Sequence, residues 1–224
     1  MQIPNNTELI SFQNWTLRVR RAAQQPARLL LLLHGWTGDE NSMWIFTRNF
    51  SLDYWTIAPR APYPTEPNGY SWRLPHASPM PHLLAASWPS LEDFRPAADS
   101  LVALMDDYAS PNQLDVRQFD VIGFSQGAAL TNAIALLHPD HVRRAGVLSG
   151  FLPAGTESVL ENCALNGKPF FVAHGTLDDK VRIEYARRSV EMLERAGARV
   201  VYCEDEIGHK LGVNGFRALE DYFA

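Results

Sequence analysis

The stretch Phe119-Asp120-Val121-Ile122-Gly123-Phe124-Ser125-Gln126-Gly127-Ala128-Ala129-Leu130-Thr131-Asn132-Ala133-Ile134-Ala135-Leu136-Leu137 decides how the rest of the chain is read. Phe119 to Gly123 is a short β-branched and apolar run, Gln126 to Leu137 repeats apolar residues at three- and four-residue spacing, and Gly123-Phe124-Ser125-Gln126-Gly127 joins them. The pattern is strand, tight turn, helix, with a serine on the turn. A side chain on either flanking residue would clash in so sharp a turn, hence glycine on both sides. The serine hydroxyl is then presented at a helix N-terminus, where unpaired backbone N–H groups, that of Gln126 among them, can point at a developing oxyanion. Ser125 is therefore the candidate nucleophile.

Working outward, the same alternation of short strands and longer helical segments continues on both sides. Arg28 to Leu33, Trp55 to Ala58, Ala145 to Ser149, Pro169 to Ala173 and Arg199 to Cys203 are the other expected strands. Leu91 to Tyr108, Ile183 to Ala196 and Gly212 to Phe223 are the other expected helices, and Leu9 to Arg20 is expected to add a leading antiparallel hairpin that turns near Gln13 and Asn14. Strands joined by crossover helices predict an α/β fold with a mostly parallel central sheet and helices on both faces. No repeat, low-complexity tract or linker interrupts residues 1–224, so a single domain is expected. The one irregular section runs from Pro59 to Pro89, where eight prolines oppose regular helix and predict a long loop.

A serine hydroxyl is a weak nucleophile at neutral pH; it needs a base, and the base needs a carboxylate to fix its tautomer. After Ser125, the run Pro169 to Ala173 leads into His174-Gly175-Thr176-Leu177-Asp178-Asp179, two acids just past the carboxyl end of a strand. Adjacent residues point in different directions and one of the pair can cap the next helix; Asp178 is favoured as the acid over Asp179. Arg199 to Cys203 then leads into Glu204-Asp205-Glu206-Ile207-Gly208-His209, and His209 is the candidate base. His138 and His141 flank a helix end and are assigned to the surface, while His174 precedes the acid. A second oxyanion donor is expected from the loop after the leucine run, His34-Gly35-Trp36-Thr37-Gly38, with the N–H of Trp36 as the candidate and His34 in a structural role.

Composition narrows the remaining classes. The chain has 224 residues, 46% hydrophobic and 20% charged, with a net charge of -5 and no basic block able to neutralise a row of phosphates, so nucleic acid is not an expected partner. Leu29 to Leu33 is far shorter than the roughly 20 residues of a membrane-spanning helix and is taken as a buried strand. Met1 to Phe12 lacks the basic and apolar regions of a secretory signal, which makes the cytoplasm the expected compartment. Cys163 and Cys203 are expected as free thiols, and the histidine spacings hold no metal-binding pattern.

With these pieces in place, the chain resembles the carboxylesterase/phospholipase group of α/β-hydrolases, small serine esterases and acyl-protein thioesterases included. The resemblance rests on LLLHGWTGDE, PRAPYP with GYSW, GFSQGAAL, HGTLDDKV and GHKLG, in that order along most of the chain. It implies a three-layer α/β sandwich, a triad of Ser125, Asp178 and His209, and an oxyanion hole formed by the amides of Trp36 and Gln126. It also implies hydrolysis of carboxylic esters or thioesters of modest size with no cofactor; the histidine spacings and the short apolar run make a metal or a membrane partner unexpected as well. One departure is visible: the group often carries H-G-x-G, and Thr37 stands here at the second glycine position. Tyr70, Trp72, Leu83 and Leu84 are the expected substrate-pocket walls, and the reading leaves room for a homodimer. The rival readings are a thioesterase or small-amide peptidase on the same triad, and a non-catalytic binding module on the same scaffold. A dienelactone-type hydrolase would carry cysteine where Ser125 stands.

Overall fold

Every residue from Leu29 to Leu33 is buried, and the two faces of that one strand belong to different cores. In the computed structural model, which describes residues 4–74, 88–114, 117–162 and 165–224, this strand, β3 (Arg28–Leu33), sits inside an eight-stranded sheet. The other members are β1 (Glu8–Phe12), β2 (Trp15–Arg20), β4 (Tyr54–Pro59), β7 (Phe119–Phe124), β8 (Val142–Leu148), β9 (Pro169–Gly175) and β10 (Arg199–Asp205). The spatial order is β1-β2-β4-β3-β7-β8-β9-β10. From β4 to β10 neighbouring strands are parallel, whereas β1 and β2 form the expected antiparallel hairpin and join β4 antiparallel. A second, two-stranded ribbon pairs β5 (Tyr63–Pro64) with β6 (Tyr70–Ser71), so the proline-rich segment is not uniformly irregular.

Leu29, Leu31 and Leu33 pack with α1 (Leu91–Asn112), α2 (Gln126–Leu137) and α4 (Ile183–Arg195) on one face. Leu30 and Leu32 pack on the other face with the 3-10 turn Trp44–Thr47 and α5 (Val213–Phe223). Parallel strands demand this double cover, because their crossover connections lay helices on both faces and leave no solvated side. Each fully buried leucine contributes about 2 kcal/mol through the water it sheds. A short helix, α3 (Glu157–Asn162), completes the set, and among the described residues no helix is long and apolar enough to cross a membrane.

Parallel strands all end on the same edge, so the loops after β3, β7, β9 and β10 gather there, which is where ligand sites of such sheets lie. The opposite edge is held by charge. Asp120, with no exposed surface, receives Arg143 at 2.9 and 2.6 Å and Arg144 at 3.2 and 2.9 Å. The Tyr54 hydroxyl lies 2.7 Å from Asp120 Oδ2 and 3.0 Å from the Phe223 carbonyl, and it accepts from Arg144. Burial, with Asp120 beside it, pushes the Tyr54 phenol well above its ordinary range, so it stays protonated. Arg144 also donates to the Tyr222 carbonyl at 2.6 Å, which ties the end of α5 to the sheet. Removing the carboxylate strands two partly buried guanidinium groups; Asp120→Ala is expected to lower urea-unfolding stability by about 3 kcal/mol. The folded fraction should keep the geometry of the far edge, checked by near-UV circular dichroism.

Candidate active site

Ser125 stands between β7 and α2 with φ 54° and ψ -113°, a left-handed backbone on a non-glycine residue that costs about 1–3 kcal/mol. The flanking glycines are steric necessities. A Cβ on Gly123 would come within 2.1 Å of the Gly127 carbonyl oxygen, and one on Gly127 within 2.1 Å of the Leu33 carbonyl oxygen. The Ser125 N–H is anchored on the Leu148 carbonyl at 2.9 Å, leaving the side chain free to project from the sheet edge.

His209 Nε2 lies 2.9 Å from Ser125 Oγ, and His209 Nδ1 lies 2.7 Å from Asp178 Oδ2. The chain brings these residues together by lacing two loops. Thr176 N–H donates to the Asp205 carbonyl at 2.8 Å and Leu177 N–H to the Ile207 carbonyl at 3.0 Å, so the loop after β9 is joined to the loop after β10 through main-chain hydrogen bonds. Asp205 adds a second anchor that sequence reading did not single out. Gly212 offers α5 no side-chain cap, and the Asp205 carboxylate takes that place, accepting the Gly215 N–H at 2.9 Å and the Asn214 amide at 2.8 Å.

Asp178 and its neighbour Asp179 face different surroundings. The Asp179 side chain is 74% exposed beside Lys180, whereas the Asp178 side chain is fully buried. Asp178 Oδ1 accepts the N–H groups of Lys180 and Val181, each at 2.9 Å, and Oδ2 lies 3.3 Å from His174 Nε2 as well as beside His209. Burial opposes ionisation of this carboxyl, but the hydrogen bonds from His174, His209, Val181 and Lys180 together outweigh it and hold Asp178 well below the ordinary carboxylate range. His174 was passed over in the sequence because it precedes the acid; the structure puts it underneath, where its Nε2 also meets the Val181 carbonyl at 2.7 Å.

The loop after β3 faces this group. A Cβ on Gly35 would lie 3.3 Å from the Ser125 Cβ, so Trp36 begins one residue from the serine. Among the described residues the N–H groups of Trp36 and Gln126 make no hydrogen bond. His34 is buried, stands 2.7 Å from the Gly35 carbonyl through Nδ1 and accepts the Ala61 N–H at 3.1 Å through Nε2, which fixes one neutral tautomer; burial keeps its pKa low. Thr37, where the sequence departs from a glycine, adopts φ 65°, a strain of about 1–2 kcal/mol for such a residue. Its N–H donates to the Tyr70 carbonyl at 3.0 Å, so β6 holds the loop in place.

The expected pocket walls divide. Tyr70 is half-buried, with the Arg60 guanidinium 4.8 Å from its ring centre. Trp72 is 1% exposed and lines no open wall: it packs against the His34 ring and donates its indole N–H to the His34 carbonyl at 2.7 Å. A large apolar residue in a proline-rich segment suggested a pocket; burial under the loop is what a tryptophan with an available backbone acceptor finds instead. Leu83 and Leu84 lie outside the described residues, as does Cys163, while Cys203 is a free thiol. Among the described residues no group of His, Cys, Asp and Glu side chains converges as a metal ion requires.

A mostly parallel sheet covered on both faces, with a serine on a glycine-flanked turn between strand and helix, defines an α/β-hydrolase. The chain belongs to the Phospholipase/Carboxylesterase family, which residues 14–224 match, and so to the carboxylic-ester hydrolases. A rice (Oryza sativa subsp. japonica) protein named a probable carboxylesterase is 30% identical over 216 residues, 90% of this chain and 78% of that one. Acyl-protein thioesterase 1 of Debaryomyces hansenii is 25% identical over 209 residues, 83% of this chain and 84% of that one. The crystal structure of a carboxylesterase from Mesorhizobium loti superposes with a TM-score of 0.80 at 22% identity, covering 97% of this chain and 98% of that one; at this identity the likeness is one of fold.

Because the Asp178 carboxyl titrates below its unfolded value of about 4, the stability it contributes is complete above that value and is lost as pH falls toward the folded one. In urea titrations from pH 7 down to about pH 3, the stability advantage of the wild type over Asp178→Asn should hold level to about pH 5 and shrink below it; an advantage that stays constant down to about pH 3 would contradict the depressed titration.

Proposed function

We propose that this protein hydrolyses carboxylic esters of small to medium acyl groups through a covalent acyl-enzyme on Ser125. His209 takes the Ser125 proton as Oγ attacks the acyl carbon, and the N–H groups of Trp36 and Gln126 hold the oxyanion. The tetrahedral intermediate collapses, the alkoxide leaves with the proton from His209, and the acyl group stays on Ser125. Water, deprotonated by His209, then attacks the ester; the acid departs and Ser125 regains its proton. Asp178 keeps Nδ1 of His209 protonated and offsets the positive charge formed on the ring at each transfer. The observation that carries this reading is His209 poised between two partners, 2.7 Å from a buried carboxylate and 2.9 Å from a serine on a strained turn.

Hydrolysis of thioesters is the second reading, favoured by the relative named acyl-protein thioesterase, since the same steps proceed with a thiolate leaving group. A purely binding role on this scaffold is disfavoured because His209 is within hydrogen-bond reach of the serine on one side and of the acid on the other. The proposed acyl-binding wall includes Tyr70.

Labelling with a fluorophosphonate probe, alongside turnover of p-nitrophenyl esters and matched thioesters of increasing acyl length, tests the reading. Wild type should label and turn over, and Ser125→Ala should do neither. Unlabelled, inactive wild type would sink the proposal, while the ratio of ester to thioester rates chooses between its two forms. Asp178→Asn should lower kcat by about 1,000- to 10,000-fold, as loss of the orienting carboxylate does in such triads, whereas Asp179→Asn should stay within about twofold of wild type.

A further inference from the structure

The two proposed oxyanion donors come from distant parts of the chain, Trp36 after β3 and Gln126 at the start of α2. Such a hole works only when both N–H groups sit within about 2.7–3.1 Å of the place the oxyanion will occupy, so their separation has to be held to a fraction of an ångström. The structure contains a device that does this. The loop carrying Trp36 is fixed to β6 and the residue after it: Thr37 N–H donates to the Tyr70 carbonyl at 3.0 Å, Tyr70 N–H to the Gly38 carbonyl at 3.0 Å, and the Trp72 indole to the His34 carbonyl at 2.7 Å. That ribbon is gripped in turn by the side chain of Gln126. Its Oε1 accepts the Trp72 backbone N–H at 2.9 Å and its Nε2 donates to Ser71 Oγ at 3.1 Å. The backbone N–H of Trp72 can only donate, which settles the orientation of the amide, and Ser71 Oγ passes its own proton to the Arg73 carbonyl at 2.9 Å.

We infer that the Gln126 side chain is a positioning residue for the oxyanion hole: one residue supplies a donor through its backbone and, through its side-chain amide, clamps the ribbon that sets the other donor. The inference rests on the serine-hydrolase reading above. It gives Ser71 and Trp72 a role in catalysis at one remove, through the loop they hold, with no contact to substrate. It also accounts for the burial of Trp72 and for the strained Thr37, whose backbone is kept in place by the same ribbon.

Gln126→Met keeps the backbone N–H and the side-chain length while deleting both hydrogen bonds. Losing an oxyanion donor outright costs about 100- to 1,000-fold in kcat, so a donor pair left loosely spaced should cost about tenfold. On p-nitrophenyl butyrate the expected result is that fall in kcat with KM changed by less than about twofold, and fluorophosphonate labelling slowed in the same proportion. Ser71→Ala removes the partner of Nε2 alone and should cost about threefold, and the double variant should be no slower than Gln126→Met within about twofold, because both act on one clamp. Wild-type kcat in Gln126→Met, or losses that multiply in the double variant, would overturn the inference. Should Gln126→Met fail to fold, Ser71→Ala decides alone: a fall in kcat at unchanged KM supports the clamp and an unchanged kcat removes it. Ser125→Ala runs in parallel, and full activity there sinks the serine-hydrolase reading itself, separately from the clamp.

Discussion

The active edge of this molecule depends on how closely α2 approaches the end of β3. No Cβ fits on Gly127 because the Leu33 carbonyl oxygen would be 2.1 Å away, and none fits on Gly123 because the first turn of α2 lies over it. With both glycines in place, β7 passes into α2 with almost no intervening chain, and Ser125 has to absorb the change of direction in one strained residue. The strain is sustained by the sheet: β3 and β7 are covered on both faces, and that burial is worth far more than the few kcal/mol stored at the serine. The same proximity brings the loop after β3 beside Ser125, so a packing constraint sets up the proposed nucleophile and the proposed oxyanion donors together.

Three aspartates near this edge show how surroundings divide one chemistry into separate tasks. Asp178 is buried and surrounded by donors, so it stays ionised and faces His209. Asp179, its neighbour in sequence, points to solvent. Asp205 ends β10 and caps α5 across the loop that carries His209. The acid and histidine loops are further joined by backbone hydrogen bonds, so the separation of Asp178 from His209 depends on main-chain geometry and not on side-chain flexibility alone.

Most strands and helices were legible because their periodicity is local. Arg28–Leu33 and Gln126–Leu137 appear with the bounds read from their patterns. Other bounds moved for identifiable reasons. The strand expected from Ala145 to Ser149 spans Val142–Leu148, ending before Ser149 because that residue turns to φ 48°. The helix expected to stop at Tyr108 runs to Asn112, where Gln113 closes it in a left-handed conformation. The ribbon of β5 and β6 was hidden because each of its strands is two residues long and lies among prolines, where no period can be seen.

The sequence by itself determined the α/β alternation, the glycine-flanked serine turn and the order in which serine, acid and histidine follow along the chain, because each of these is written in neighbouring residues or in hydrophobic period. Only the tertiary structure decided which of two adjacent aspartates meets His209, that His174 lies beneath it, that Trp72 is buried under a loop, and that Gln126 reaches Ser71 and Trp72. The ion cluster of Asp120, Arg143, Arg144 and Tyr54 belongs to the same group. These contacts join residues far apart in the chain or turn on the direction of a single side chain, and a hydrogen bond across such a distance leaves no trace in local composition or spacing; it exists only once burial of the sheet has brought the partners together.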